Sequence, residues 1–304
     1  MIAVKSGPVG IDADYRLCGQ RGDALAYDAS ALAGKQGLAS YHDIANQLHK
    51  ASDPSADKLE KGIAESRLGA DGRDRVVDTR RYPFSAICAL RMIDVGGKGW
   101  AGTGCMISQS LVLTAGHNIY KHDRGGFVKH ATVYPGLNGS TNSPPFPAAG
   151  SKTFLTVKAW TVGRDQEMDF GAIVLPTPLG KQCGYFSVSK LTDGTLNGLA
   201  VSVSGYPLDC PAKGTARVAL CGRPASTQWA DQGNITYVEP TRLRYNMDTT
   251  EGQSGAPVFA HFDDKKDPFQ VVGVHNYGHE SFNAATRINQ AVFDMIVKWL
   301  KDSP

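Results

Sequence analysis

The stretch Glu-Gly-Gln-Ser-Gly-Ala-Pro-Val-Phe at residues 251–259 sets a serine between glycines and in front of a short apolar run. Glycine accepts backbone angles that other residues avoid, so the chain around Ser254 is free to curl until the amides of Gly252 and Ser254 converge. The run Pro257–Ala260 behind the turn is typical of a buried β-strand. The stretch therefore predicts a tight turn with convergent N–H groups at the start of a strand.

Two further stretches place a polar side chain beside an apolar strand. Leu-Thr-Ala-Gly-His-Asn at residues 113–118 puts His117 just past a strand end, where small residues let the chain turn. Glu-Met-Asp-Phe-Gly-Ala-Ile-Val-Leu at residues 167–175 puts Asp169 at the start of a strand, where burial strengthens a bond to an imidazole. Asp165 is a near competitor, but the apolar run directly follows Asp169.

These polar residues are the parts of an activated serine nucleophile. Such a nucleophile requires a base that takes the hydroxyl proton, a carboxylate that orients the base, and backbone donors for the oxyanion. The sequence predicts that His117, Asp169 and Ser254 form a catalytic triad and that the amides of Gly252 and Ser254 form the oxyanion hole. We expect neither a metal site nor a cofactor.

The order His, Asp, Ser and the signatures Thr-Ala-Gly-His and Gly-x-Ser-Gly-x-Pro resemble those of the chymotrypsin-like serine proteases. Within that superfamily, four more segments resemble the bacterial glutamyl endopeptidases, and the likeness covers about residues 66–302: these segments are 75–86, 131–139, 204–207 and 247–249. The resemblance implies a secreted serine endopeptidase that hydrolyses protein or peptide substrates through an acyl-enzyme. It also implies a preference for Glu before the scissile bond.

A pocket for the glutamate side chain follows from the same resemblance. His275, on the strand after the nucleophile, and Thr249, shortly before it, match the family's pocket residues. Both are able to hydrogen-bond a carboxylate without a permanently buried charge. Glu251 stands at the rim where a small residue is usual, and its carboxylate opposes an acidic substrate residue. The alternatives are a pocket of another specificity and an inactive homologue that acts as a binding module.

The fold class predicted from composition is all-β. The 34 glycines and 16 prolines separate short apolar runs rich in Val and Thr, and the resemblance implies two antiparallel six-stranded β-barrels with an active-site cleft between them. The predicted strands begin at 76–77 and 82–90 and continue at 103–107, 111–114, 131–134, 154–161, 171–174, 199–204, 242–246, 257–260 and 271–275. Apolar residues at intervals of three and four from Ile288 to Leu300 predict a C-terminal amphipathic α-helix.

We predict three parts along the chain. Residues 1–65 are leader-like, with a helical pattern near residues 40–48, and form a propeptide or a permanent N-terminal extension. Residues 66–190 form the N-terminal barrel with the histidine and aspartate, and residues 191–304 form the C-terminal barrel with the serine and the terminal helix.

Processing is expected between Glu65 and Ser66. In the family a propeptide is removed and the released α-amino group helps bind the substrate carboxylate, and the sequence from Ser66 to Arg73 resembles such mature starts. Gln253 stands where trypsin carries an acid, so a salt bridge from a new N-terminus to that residue is not available here.

Cysteines and charge exclude some functions. The six cysteines form no paired Cys-x-x-Cys pattern, which gives zinc little support. A disulfide is expected between Cys210 and Cys221, which bracket a Pro- and Gly-containing loop, whereas buried free thiols are the alternative for all six. The net charge of +3, without a basic block, does not indicate nucleic-acid binding. No apolar run is long enough to span a bilayer. We expect a monomer outside the membrane, although residues 1–30 lack the pattern of a signal peptide.

Overall fold

The computed structural model describes residues 4–6, 10–13, 67–68, 71–209, 225–263 and 265–303. The predicted all-β class is confirmed, because the described chain forms two six-stranded barrels and one long C-terminal helix. The helical pattern predicted near residues 40–48 lies outside the described residues. In the described part, no helix combines the length and the apolar content that a membrane crossing requires.

The strands are numbered here in chain order. They are β1 (Val4–Ser6), β2 (Gly10–Ala13), β3 (Asp74–Arg75), β4 (Ile87–Ile93), β5 (Gly99–Met106), β6 (Leu111–Thr114), β7 (Tyr120–Lys121), β8 (Gly126–Phe127), β9 (His130–Pro135), β10 (Ala149–Ser151), β11 (Thr153–Val157), β12 (Gly171–Val174), β13 (Ser187–Val188), β14 (Ala200–Gly205), β15 (Trp229–Val238), β16 (Arg242–Tyr245), β17 (Pro257–His261), β18 (Phe269–His279) and β19 (Phe282–Arg287). The α-helices are α1 (Gly116–Ile119), α2 (Lys158–Thr161), α3 (Gly180–Cys183), α4 (Asp193–Leu196) and α5 (Gln290–Asp302). Short 3₁₀ turns cover Phe84–Ala86 and Gln166–Met168.

The first barrel is closed by one bent segment. Its strands follow the order β11-β12-β6-β5-β4-β9-β10, and only Lys152 separates β10 from β11. The bent segment formed by β10 and β11 counts as one of the six strands of this barrel. Since β10 pairs with β9 and β11 pairs with β12, this segment joins the two ends of the barrel sheet. Leu90, Val112 and Ile173 are fully buried in its core. Strand β2 adds to the outer edge of β11 in parallel, and β1 pairs with β2.

The second barrel closes through its longest strand. Its order is β18-β17-β14-β15-β16-β19, and β18 pairs again with β19 to complete the ring. Val203, Leu243 and Val258 are fully buried inside it. The register of β18 shifts between His275 and Tyr277, which bends the strand where it passes the site described below.

Most predicted strands are present, with three kinds of error. Leu111–Thr114 and Gly171–Val174 have the predicted bounds. The strand predicted over 154–161 is wrong in its second half, because the chain turns into α2 after Val157. The strand predicted at 76–77 lies instead at Asp74–Arg75. Strand β15 was not predicted, since its sequence Asp-Gln-Gly-Asn is polar in the middle.

Chain segments cross between the two barrels. Strand β3, which precedes the first barrel, pairs with β15 of the second. Helix α5, which follows the second barrel, packs on the first, where the Trp299 ring lies 5.4 Å from the Phe170 ring. Asn289 caps this helix by accepting the Val292 N–H at 3.0 Å. The division at residue 190 stays a prediction.

Three described cysteines are free thiols. Cys88, Cys105 and Cys183 are buried and belong to the core of the first barrel. Burial raises the pKa of the Cys183 thiol to about 12, so it is uncharged at neutral pH. For these three residues the free-thiol alternative is correct, whereas Cys210 and Cys221 lie outside the described residues.

Gly255 is fixed by a close approach between the barrels. Its φ is +89°, and a Cβ at this residue would lie 2.1 Å from the Thr103 carbonyl oxygen and 2.3 Å from Thr114 Oγ1. Both neighbours belong to paired strands of the first barrel, and therefore neither is free to move aside.

We expect Gly255→Ala to lower the free energy of unfolding by more than about 2 kcal/mol, since it combines a left-handed backbone with overpacking. Gly194→Ala is the matched control, because nothing lies within 4 Å of a Cβ there. Urea unfolding of both variants measures the difference. Equal stability of the two variants would contradict the proposed contact.

Candidate active site

His117 and Asp169 meet at the end of two paired strands. Strand β6 leads into α1, which carries His117, and β12 begins two residues after Asp169. Because Thr114 of β6 pairs with Gly171 of β12, both side chains emerge at one edge of the first barrel. The Asp169 Oδ2 atom lies 2.7 Å from His117 Nδ1, and Oδ1 accepts the His117 backbone N–H at 2.7 Å.

The second barrel supplies a further donor to Asp169. The Asn276 amide donates to the Asp169 carbonyl oxygen at 2.8 Å. Tyr277 of the same strand lies close enough to the Asp169 carboxylate for its charge to act on the phenol. Burial raises the pKa of Tyr277, and the charge of Asp169 raises it further, which keeps the phenol protonated. Asp169 is fully buried, while 24% of the His117 side chain is exposed. The imidazole thus lies between a buried carboxylate and solvent.

Ser254 is joined to the first barrel next to His117. Its carbonyl oxygen accepts the Thr103 N–H at 2.9 Å and the Asn118 side-chain amide at 2.7 Å. Asn118 directly follows His117 in α1. Gly255, the next residue of the same turn, lies directly against Thr103 of β5 and Thr114 of β6. The structure therefore brings the predicted serine, histidine and aspartate segments together.

The turn before Ser254 is held at several carbonyl groups. The Gln253 N–H donates to the Thr250 carbonyl oxygen at 3.0 Å, and the Leu208 N–H donates to that of Glu251 at 2.6 Å. The Gly252 carbonyl oxygen accepts the Thr103 hydroxyl at 2.8 Å. Gly252 has a φ of +97°, and its N–H makes no backbone hydrogen bond to the part of the chain that the structure describes.

The predicted pocket residues lie behind this turn. His275 is fully buried on β18, its carbonyl oxygen accepts the Gly255 N–H at 2.6 Å, and its Nδ1 lies 2.6 Å from the Tyr245 hydroxyl. Burial lowers the pKa of His275 to about 3, and a backbone hydrogen bond at Ala284 only partly offsets this, so the ring is neutral at neutral pH.

Thr249 and the remaining predicted residues differ in their surroundings. Thr249 is fully buried, and its hydroxyl has no hydrogen-bond partner among residues 67–303 as far as these are described. Glu251 is exposed at the surface. Ser66 lies outside the described residues.

Four contributors to the site were missed in the sequence. Asn276, Asn118 and the Arg73 guanidinium bond to segments of the predicted triad that are distant in the chain, Arg73 through Gln253 at 3.0 Å. Tyr277 lies beside the Asp169 carboxylate. No local pattern marks them, because a single tyrosine, asparagine or arginine is a common surface residue. Asn118 is the exception, because it directly follows His117 in the sequence and therefore lies close to the predicted site.

The two barrels and the turn-borne serine between them make this protein a serine endopeptidase with a chymotrypsin-like fold. The family model described as trypsin matches residues 79–300. The chain therefore belongs to the trypsin family, and within it to the group of the bacterial glutamyl endopeptidases.

Among the similar proteins, two are named glutamyl or Glu endopeptidase and one is named a metalloprotease. A glutamyl endopeptidase of Bacillus licheniformis is 34% identical over 303 residues, which cover 96% of this chain and 87% of that protein. A Bacillus subtilis protein named extracellular metalloprotease is 31% identical over 247 residues, covering 80% of this chain and 73% of its own length. The solved structure of a Glu endopeptidase in complex with MPD superimposes with a TM-score of 0.63 at 28% identity, covering 77% of this chain and 99% of that chain.

Within the described ranges, no group of three or more His, Cys, Asp or Glu side chains is arranged to hold a metal ion. The prediction that the site requires no metal and no cofactor stays a prediction.

We expect the buried His275 to make stability depend on pH. In the unfolded chain the imidazole takes a proton near pH 6.5, but in the folded protein only near pH 3, so its contribution to stability is present above pH 6.5 and is lost as the pH falls. Between these two pH values, each decrease of one pH unit lowers the free energy of unfolding of the wild type, relative to that of His275→Gln, by up to about 1.4 kcal/mol. Urea unfolding from pH 4 to pH 8 measures this. A difference between the two proteins that is constant with pH would contradict it.

Proposed function

We propose that Ser254 is the nucleophile, His117 the general base and Asp169 the residue that orients the base. The pair of 2.7 Å contacts between His117 and one buried carboxylate carries this proposal. Because Asp169 accepts at Nδ1, the proton of the neutral imidazole resides there and Nε2 is left as the basic atom. The Asn276 amide, which donates to the Asp169 carbonyl oxygen at 2.8 Å, helps to fix Asp169 in this orientation.

The reaction then proceeds through an acyl-enzyme. His117 takes the proton of the Ser254 hydroxyl as its oxygen attacks the peptide carbonyl carbon, and the amides of Gly252 and Ser254 stabilise the oxyanion of the tetrahedral intermediate. The imidazolium gives its proton to the leaving amine when the carbon–nitrogen bond breaks. Water repeats the sequence on the ester and releases the enzyme. Asp169 stabilises the imidazolium in both halves.

The substrate side chain before the scissile bond is proposed to be glutamate. The neutral His275 ring with the Tyr245 hydroxyl at Nδ1 is suited to donate from Nε2, and the buried Thr249 hydroxyl offers a second donor. Each hydrogen bond to a carboxylate is charge-assisted and therefore stronger than a neutral one. The name of the Bacillus licheniformis relative agrees with this specificity.

Glu251 favours the second candidate, a pocket for a different residue. Its carboxylate is exposed beside the turn that carries the serine, where it opposes an acidic substrate. Burial lowers the pKa of Lys121, and the negative charge of Glu251 acts in the opposite direction by favouring the charged ammonium form. The Lys121 ammonium thus offsets part of the negative charge, and we propose that Glu251 is a tolerated rim residue.

We expect the purified protein to cut a denatured test protein mainly after Glu, whereas Ser254→Ala cuts nowhere. Thr249→Val keeps the side-chain shape but removes a donor to the carboxylate, so kcat/KM for a Glu substrate falls about 10- to 100-fold. Glu251→Gln raises kcat/KM for the same substrate. Mass spectrometry of the new C-termini and peptide kinetics provide the measurements. Cuts at other residues by the active protein would favour the second candidate and refute the glutamate pocket.

Residues 1–65 are proposed to be a propeptide that is removed between Glu65 and Ser66. The segment that follows is held beside the pocket, since the N–H groups of Leu68 and Gly72 donate to Asp248 Oδ1 and Oδ2 at 2.5 and 2.7 Å. Asp248 immediately precedes Thr249, so an amino group released at Ser66 starts two residues from this contact. Secretion is proposed as well, in line with the name of the Bacillus subtilis relative.

We expect wild-type protein to mature to a form that begins at Ser66, while Ser254→Ala stays unprocessed until active enzyme is added. Glu65→Gln removes the acidic side chain before the cut and should block both reactions. Intact-mass measurement and N-terminal sequencing give the result. A stable mature form that begins well away from Ser66 would contradict this maturation.

A further inference from the structure

A fully buried guanidinium lies under the turn that precedes Ser254. Arg73 is 1% exposed and makes two paired contacts with carboxylates. Nε and Nη2 donate to Asp71 Oδ1 and Oδ2 at 2.9 and 2.8 Å, and Nη1 and Nη2 donate to Asp209 Oδ1 and Oδ2 at 3.1 and 3.0 Å. Such paired contacts hold a guanidinium in one orientation. The position of Arg73 is therefore fixed from two sides.

The same guanidinium binds both ends of the turn. Its Nη1 donates to Thr250 Oγ1 at 2.6 Å and to Gln253 Oε1 at 3.0 Å, and Gln253 Oε1 also accepts the Thr250 N–H at 3.1 Å. The Thr250 hydroxyl in turn donates to Asp209. Gln253 is fully buried and directly precedes Ser254. One cation thus ties together the residues that bracket Glu251 and Gly252.

These contacts determine where two amides point. The Ser254 N–H belongs to the peptide group that joins Gln253 to Ser254. The Gly252 N–H belongs to the peptide group that joins Glu251 to Gly252, and this group lies between the two residues that Arg73 contacts. The first barrel holds the Gly252 and Ser254 carbonyls through Thr103, but the side chains of Thr250 and Gln253 are held from the opposite side, by Arg73. A permanently charged, buried donor is suited to this task, because it neither titrates nor rotates.

Arg73 belongs to the segment that follows the proposed processing site. Asp248 binds this segment at Leu68 and Gly72, and strand β3 continues it onto β15. Docking of Leu68 and Gly72 on the second barrel therefore delivers the guanidinium to the turn.

We propose that Arg73 is a positioning residue for the oxyanion hole, which couples docking of Leu68 and Gly72 on Asp248 to the orientation of the Gly252 and Ser254 amides. This rests on the proposed function, in which those amides stabilise the tetrahedral intermediate. Loss of Arg73 then weakens binding of the transition state more than binding of the substrate.

The experiment compares Arg73→Gln with Arg75→Gln in the full chain. Arg75 lies two residues further on and donates to Asn138 at 2.9 Å rather than to the turn, so it is the matched control. Fluorophosphonate labelling, run to completion, counts the active sites of each protein, and peptide kinetics are expressed per active site. We expect Arg73→Gln to lower kcat about 10- to 100-fold with KM changed less than about threefold, and Arg75→Gln to leave both unchanged.

The affinity of the active protein for a peptide aldehyde is a second measurement, which does not change when part of the sample is unfolded. The hemiacetal oxygen of the aldehyde occupies the oxyanion site, so the affinity should fall by the same factor as kcat in Arg73→Gln. Arg73→Lys keeps the charge without the paired geometry and should recover part of both.

Gln253→Met provides a second test in case Arg73→Gln does not fold. It removes the bond between the guanidinium and the Gln253 end of the turn but leaves the bond to Thr250 and the ion pairs of Arg73 intact. A loss of kcat in the same direction, no larger than that of Arg73→Gln, is therefore expected with folding retained. Unchanged kcat and aldehyde affinity per active site in Gln253→Met, or in folded Arg73→Gln, would overturn the inference. Wild-type protein that neither cleaves peptides nor reacts with fluorophosphonate would instead refute the proposed function.

Discussion

Asp169 is fully buried, and its oxygen atoms accept hydrogen bonds from both barrels. A buried charge costs several kcal/mol unless donors replace the lost water. The first barrel provides two donors to the carboxylate through His117, and the second provides the Asn276 amide, which donates to the Asp169 carbonyl oxygen. All three bonds form only when β6, β12 and β18 converge. Correct assembly of the two barrels and correct orientation of the imidazole are one and the same requirement.

The turn before Ser254 has the same dependence on distant segments. Thr103 of β5 binds two of its carbonyl oxygens, Gly255 fits against β5 and β6 only because it lacks a side chain, and Arg73 binds it from the N-terminal side. The proposed substrate pocket lies behind this turn, where His275 is kept neutral by burial. A neutral, hydrogen-bonding pocket is inexpensive to leave empty, since no bare charge faces the protein interior.

The sequence was informative where the chemistry is local. The motifs around His117, Asp169 and Ser254 each combine a strand with a turn, and their strands occur at or near the predicted positions. Contacts that join distant residues left no such signal: Arg73 and Gln253 are 180 positions apart, and β15 is too polar in its middle to read as a strand. The strand predicted over 154–161 ran too far because apolar residues continue into α2, where Trp160 packs beside Gly116.

The exchange of terminal segments between the barrels bears on how the molecule behaves as a whole. Strand β3 lies at the start of the first barrel's sequence but on the second barrel, and α5 lies at the end of the second barrel's sequence but on the first. A fragment cut between the barrels would leave the Phe170 side chain without Trp299 and the edge of β15 without its partner. We therefore expect that neither half folds independently of the other. The two barrels are expected to gain and lose structure in a single cooperative step, so that a partly opened enzyme with one intact barrel is scarcely populated.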